Sequence, residues 1–86
     1  MKVILLDHLK SQAKERGIDI KLVEDTISNP EQIIPDIKGL QVAHKKYFDG
    51  NKNKEYLIRV IFREEQGLRI GITVYSTSKI KKYWRL

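Results

Sequence analysis

Hydrophobic and polar residues alternate most regularly in the last third of the chain. In residues 56–63 the period-two pattern sets Tyr56, Ile58, Val60 and Phe62 on one face and Leu57, Arg59, Ile61 and Arg63 on the other. In residues 68–77 it sets Leu68, Ile70, Ile72 and Val74 on one face and Arg69, Gly71, Thr73, Tyr75 and Thr77 on the other. Alternation in segments rich in Val, Ile, Tyr and Thr predicts strands, because such side chains pack well on a pleated surface. Reading Glu65-Gln66-Gly67 as a three-residue hairpin loop puts Gly67 at the left-handed position, where the missing Cβ removes a steric cost. That register pairs Glu64 with Leu68, Phe62 with Ile70, Val60 with Ile72 and Ile58 with Val74. A two-residue loop setting Phe62 opposite Arg69 would mix the faces and is rejected. The hairpin then has one apolar face and a second face gathering Arg59, Arg63, Arg69, Thr73 and Tyr75.

The earlier chain supplies what packs on the apolar face. Residues 2–6 are short and apolar, a first strand. Asp7 is a candidate N-cap for a polar helix over residues 8–16, with Leu5, Leu9 and Ala13 as a thin stripe and Gly17 as its end. Asp19 can cap a second helix over residues 20–28, whose Ile20, Val23 and Ile27 share a face. Asn29-Pro30 stops it, since the residue before proline is driven out of the helical region. Pro35 makes residues 31–38 an edge strand or extended loop, and an open edge is a route to a homodimer. Residues 40–48 read as a less regular strand with Val42, His44 and Phe48 on one side, and residues 49–53 as a polar turn. Ser76, Thr77 or Ser78 can cap a short terminal helix in which Ile80 and Trp84 meet, Trp84 anchoring the tail. Helices followed by a run of antiparallel strands predict a single α+β domain over residues 1–86, with the helices on one sheet face.

Composition narrows the chemistry. The chain has no cysteine, so neither disulfides nor a thiolate zinc site is expected, and two distant histidines make a poor metal site. No cofactor is expected, and no phosphate-cradling glycine loop is present. No apolar run is long enough for a bilayer, and the opening MKVILL is too short for a signal peptide, so a cytoplasmic protein without membrane contact is expected. The net charge of +6 is uneven: residues 1–43 carry six Lys/Arg against seven Asp/Glu, residues 44–86 eleven against four. A basic half of this kind points to an anionic partner, RNA or an acidic protein.

On the second hairpin face, Arg59, Arg63 and Arg69 present paired donors that match phosphate oxygens, and arginine can stabilise the charge that builds when a phosphodiester is attacked. Tyr75 can act as acid or base. Lys79, Lys82 and Tyr83 can hold the RNA backbone or stack on a base. The bland alternative is that Arg59 and Arg63 pair with Glu64 and Glu65 and that Tyr75 merely packs beside Leu57.

His8, Glu15-Arg16-Gly17-Ile18, Asn29-Pro30-Glu31, Leu57-Ile58-Arg59-Val60, Thr73-Val74-Tyr75, Thr77-Ser78-Lys79 and Tyr83-Trp84 together resemble a family of small prokaryotic domains of unknown function, family 4258. That family in turn resembles the RelE- and BrnT-type toxins of toxin–antitoxin pairs. The resemblance implies a strand and two helices on an antiparallel sheet with a short basic C-terminal segment. It also implies a metal-independent endoribonuclease neutralised by a small acidic antitoxin. The chain departs from the family at Gln12, where arginine is frequent, and has no histidine in the final hairpin or tail. The competing expectation is a non-catalytic basic module that binds an acidic protein or structured RNA.

Overall fold

A computed structural model describes residues 2–86. The chain runs β1 (Lys2–Leu5), α1 (Asp7–Glu15), α2 (Ile20–Ser28), β2 (Gln32–Pro35), a 3-10 turn (Ile37–Gly39), β3 (Gln41–Asp49), β4 (Lys54–Glu65), β5 (Leu68–Thr77) and α3 (Ile80–Tyr83). This is the expected α+β class, with Pro35 in an edge strand as its missing N–H requires. The sheet order is β1-β5-β4-β3-β2. The wholly antiparallel sheet is corrected to a mixed one, because β1 runs parallel to β5. The helix pair carries the chain to the opposite edge, and three antiparallel steps from β2 bring β5 beside β1 in the same direction.

Leu9 and Ala13 of α1 and Val23 and Ile27 of α2 bury against Ile58 and Val60 of β4 and Val74 of β5. Asp19 caps α2, its carboxylate accepting from Lys21 N at 2.9 Å. Asp7 does not cap α1: Leu6 holds that position and Asp7 opens the helix, where its charge faces the positive end of the helix dipole. Among the described residues, no helix is long and apolar enough to cross a membrane.

The hairpin register differs from the expected one. Gln66 (φ 47°) and Gly67 (φ 78°) form a two-residue turn with both residues left-handed, and Glu65 pairs with Leu68. This mirror-image turn matches the twist of the strands it joins. Further along, Phe62 pairs with Gly71 but Ile61 pairs with Thr73, so Ile72 is the extra residue of a β-bulge. The bulge sets Val60 opposite Val74, keeping both on the helix side. It also separates the arginines. Arg69 turns back to the helical layer, donating to the Ile27 carbonyl at 2.8 Å and pairing with Glu64 at 2.9 Å. Arg69 therefore does not share a face with Arg59.

β1 covers only the first part of β5, Leu68 to Gly71. Beyond it, α1 stands in for a strand: Gln12 Oε1 accepts from Val74 N at 3.1 Å, and Arg16 donates to the Val74 carbonyl at 2.6 Å. The Thr73 hydroxyl also donates to Gln12, so Thr73 serves the helix contact rather than the arginine face.

Candidate functional site

Ile58 and Val60 point at the helices, so Arg59 between them points the other way. The strand registers put Gln32 opposite His44, His44 opposite Arg59 and Arg59 opposite Tyr75. Four side chains from β2, β3, β4 and β5 thus form one row across the sheet.

Hydrogen bonds run the length of the row. Arg59 Nε donates to His44 Nε2 at 2.9 Å, and Arg59 Nη1 donates to the Tyr75 hydroxyl. His44 Nδ1 lies 2.9 Å from Gln32 Oε1. A guanidinium has no acceptor, so Nε2 must be the unprotonated nitrogen and Nδ1–H the donor to Gln32. His44 is wholly buried, and burial, followed by the positive charges of Arg59 and Arg85, pushes its pKa down to about 4. Burial also lowers the pKa of Arg59, against which Tyr83 and Asp36 act. Arginine nevertheless stays protonated in proteins. The row therefore holds a cation beside a neutral imidazole, with the remaining guanidinium donors left for an anion.

The C-terminal segment lies over this row and follows its order. The Tyr83 ring centre is 4.1 Å from the Arg59 guanidinium carbon. Trp84 stacks on His44 with ring centres 6.2 Å apart and planes 23° from parallel. Arg85 closes a backbone pair with Gln32, its N–H donating to Oε1 at 3.0 Å and its carbonyl accepting from Nε2 at 2.6 Å. Tyr83 also meets Tyr75 edge-on at 6.2 Å. The terminal helix is a single turn, and none of Ser76, Thr77 and Ser78 is its N-cap; that position is Lys79, whose N–H bonds the Thr77 hydroxyl.

Of the residues singled out from the sequence, Arg59, Tyr75 and Tyr83 come together. Lys79 and Lys82 are exposed beside them, lining a groove of about 950 Å³ with Lys46, Lys81, Ile80 and Trp84. Arg63 stands apart near the hairpin end, exposed and paired with Glu65 at 2.7 Å. Arg69 lies on the helix side. Sequence reasoning missed Gln32 and His44. His44 was detectable: pairing Asp49 with Lys54 across the polar turn and counting back along β3 and β4 sets His44 opposite Arg59. Among the described residues, no three His, Asp or Glu side chains are grouped to hold a metal ion, and the row's charge suits an anion instead.

Comparison with protein-family models, curated proteins and solved structures finds no match for the chain.

Proposed function

We propose that the protein is a RelE/BrnT-like toxin, a metal-independent endoribonuclease working in the cytoplasm and neutralised by a small acidic antitoxin. One observation carries this reading. Arg59 is held on the face away from the helices, between His44 and Tyr75, with guanidinium donors to spare in the basic half of the chain. A guanidinium fixed in this way can grip a phosphodiester and oppose the charge that develops on its oxygens as the 2′-hydroxyl attacks. In that step a bond forms from the 2′ oxygen to phosphorus and the bond from phosphorus to the 5′ oxygen breaks. The Tyr75 oxygen accepts from Arg59, which leaves its own O–H to protonate the departing 5′ oxygen, while water takes the 2′ proton. His44 serves as a positioning residue, since its Nε2 lone pair is engaged by Arg59.

The same engagement favours a second reading. With the one imidazole of the row neutral and occupied, a basic module that binds RNA or an acidic protein without cutting also fits the geometry. Controlled expression of the wild type beside an Arg59→Ala/Tyr75→Phe variant separates the two. The ribonuclease reading expects arrested growth and fragmented RNA with the wild type alone. Equal growth and equally intact RNA in both strains would overturn it and leave the binding module.

A further inference from the structure

We infer that the groove beside the row is a subsite for single-stranded RNA, taking the nucleotides that flank the phosphate at Arg59; the inference rests on RNA being the partner. The groove combines an apolar floor, Ile80 and Trp84, with the amines of Lys46, Lys79, Lys81 and Lys82, and its lining has one acid, Glu55. None of these lysines belongs to an ion pair among the described residues, whereas Lys45, Arg63 and Arg69 each have a carboxylate. Four unneutralised amines around an apolar floor need an occupant that is both anionic and able to present flat apolar surface. An unpaired nucleotide chain offers this, with phosphates on one side and base faces on the other. Duplex RNA hides its base faces in the stack.

The groove is continuous with the row. Trp84 belongs to both, stacking on His44 and lining the groove, with Lys46 Nζ 4.1 Å from its ring centre. Lys82 extends over Tyr83, its Nζ 5.3 Å from the ring centre, and Tyr83 covers Arg59. A phosphate at Arg59 therefore has its neighbours directed along a line of amines. Lys46 and Lys81 become binding residues alongside Lys79 and Lys82.

The test is fluorescence anisotropy with a labelled single-stranded oligouridylate, a duplex RNA of equal length and a poly-glutamate peptide as competitor. A Lys46→Ala/Lys82→Ala variant is compared with the wild type across a salt series, with a Lys46→Arg/Lys82→Arg variant as the charge-preserving control. Each phosphate contact to a single strand contributes about 0.7 to the slope of log affinity against log salt, so the alanine pair is expected to lower it by about 1.4. Affinity for oligouridylate should fall roughly tenfold or more at low salt, and the arginine pair should retain it. An unchanged slope, equal preference for duplex RNA, or tight binding of poly-glutamate with none of RNA would overturn the subsite. If the wild type cuts RNA while the alanine pair leaves binding unchanged, the subsite falls and the ribonuclease reading stands. If oligouridylate binds as expected and no RNA is cut, the ribonuclease reading falls and the subsite stands.

Discussion

Fully buried His44 accepts the Nε–H of part-buried Arg59 on Nε2 at 2.9 Å, which makes the imidazole the neutral partner of a cation. Protonating it would break that bond and place two positive charges side by side. Its pKa is about 4 in the folded chain against 6.5 for the free side chain. Between those values the unfolded chain holds the extra proton, so the contribution to stability is full above about pH 6.5 and is lost as the pH falls towards 4. A shift of this size corresponds to about 3 kcal/mol. Urea unfolding at a series of pH values should show the loss in the wild type. It should be much reduced in His44→Gln, which keeps polar partners without an ionisable ring. Parallel curves for the two proteins would contradict the assignment.

Gln32 ties the tail to the row through both atoms of its amide. In Gln32→Ala the backbone of Arg85 loses its partners and Trp84 should lift from His44. Trp84 is the single tryptophan, so its emission should shift to longer wavelength without unfolding of the sheet. An unshifted spectrum with unchanged protease resistance of the tail would show that stacking alone holds it.

Gly71 sits where β5 passes beneath the helices. An added Cβ there would lie 2.9 Å from Leu5 Cδ2, 2.9 Å from Leu9 Cδ1 and 3.0 Å from Ile27 Cδ1. Leu9 and Ile27 are fully buried, so they cannot all move aside freely, and Gly71→Ala should destabilise by about 1–3 kcal/mol. Gly50→Ala meets nothing within 4 Å and should stay within about 0.5 kcal/mol of wild type. Denaturation midpoints of the pair measure the contrast.

Arg63 and Arg69 should respond differently from Arg59. Arg63 is exposed and its ion pair lies in water, so Arg63→Ala should change stability by less than about 1 kcal/mol. Arg69→Ala removes a bond to the Ile27 carbonyl at the end of α2 and should destabilise by about 1–3 kcal/mol, leaving the proposed RNA binding unaltered. On the proposed ribonuclease reading, Arg59→Ala should abolish RNA cleavage. Similar RNA phenotypes for all three would mean that the expected shared arginine face operates after all, despite the bulge.

Element order and helix positions were largely legible because they depend on local signals: Asp19 as a cap, Gly17 as a stop, and alternation in the last two strands. The register was not. Gln66 adopts a positive φ that a non-glycine residue takes at some steric cost. The bulge at Ile72 then shifts the pairing by one residue, which no periodicity with a fixed phase can reveal. That single residue turns Arg69 to the face opposite Arg59 and Tyr75. His44 was hidden for another reason. Its neighbours Val42 and Ala43 are buried too, and only its cross-strand partner distinguishes it from an ordinary core position.

The row of Gln32, His44, Arg59 and Tyr75 draws on four strands and is overlain by consecutive tail residues. No member can change chemistry without leaving a neighbour's donor or acceptor unmatched, at greatest cost around buried His44. In lineages descended from this protein, substitutions at these positions should arrive in combinations. A charged-for-neutral swap at Arg59 would call for a compensating change at His44 or Tyr75 within the same sequence. Paired substitutions of this kind would record the row's history in the way a lock records a change of key.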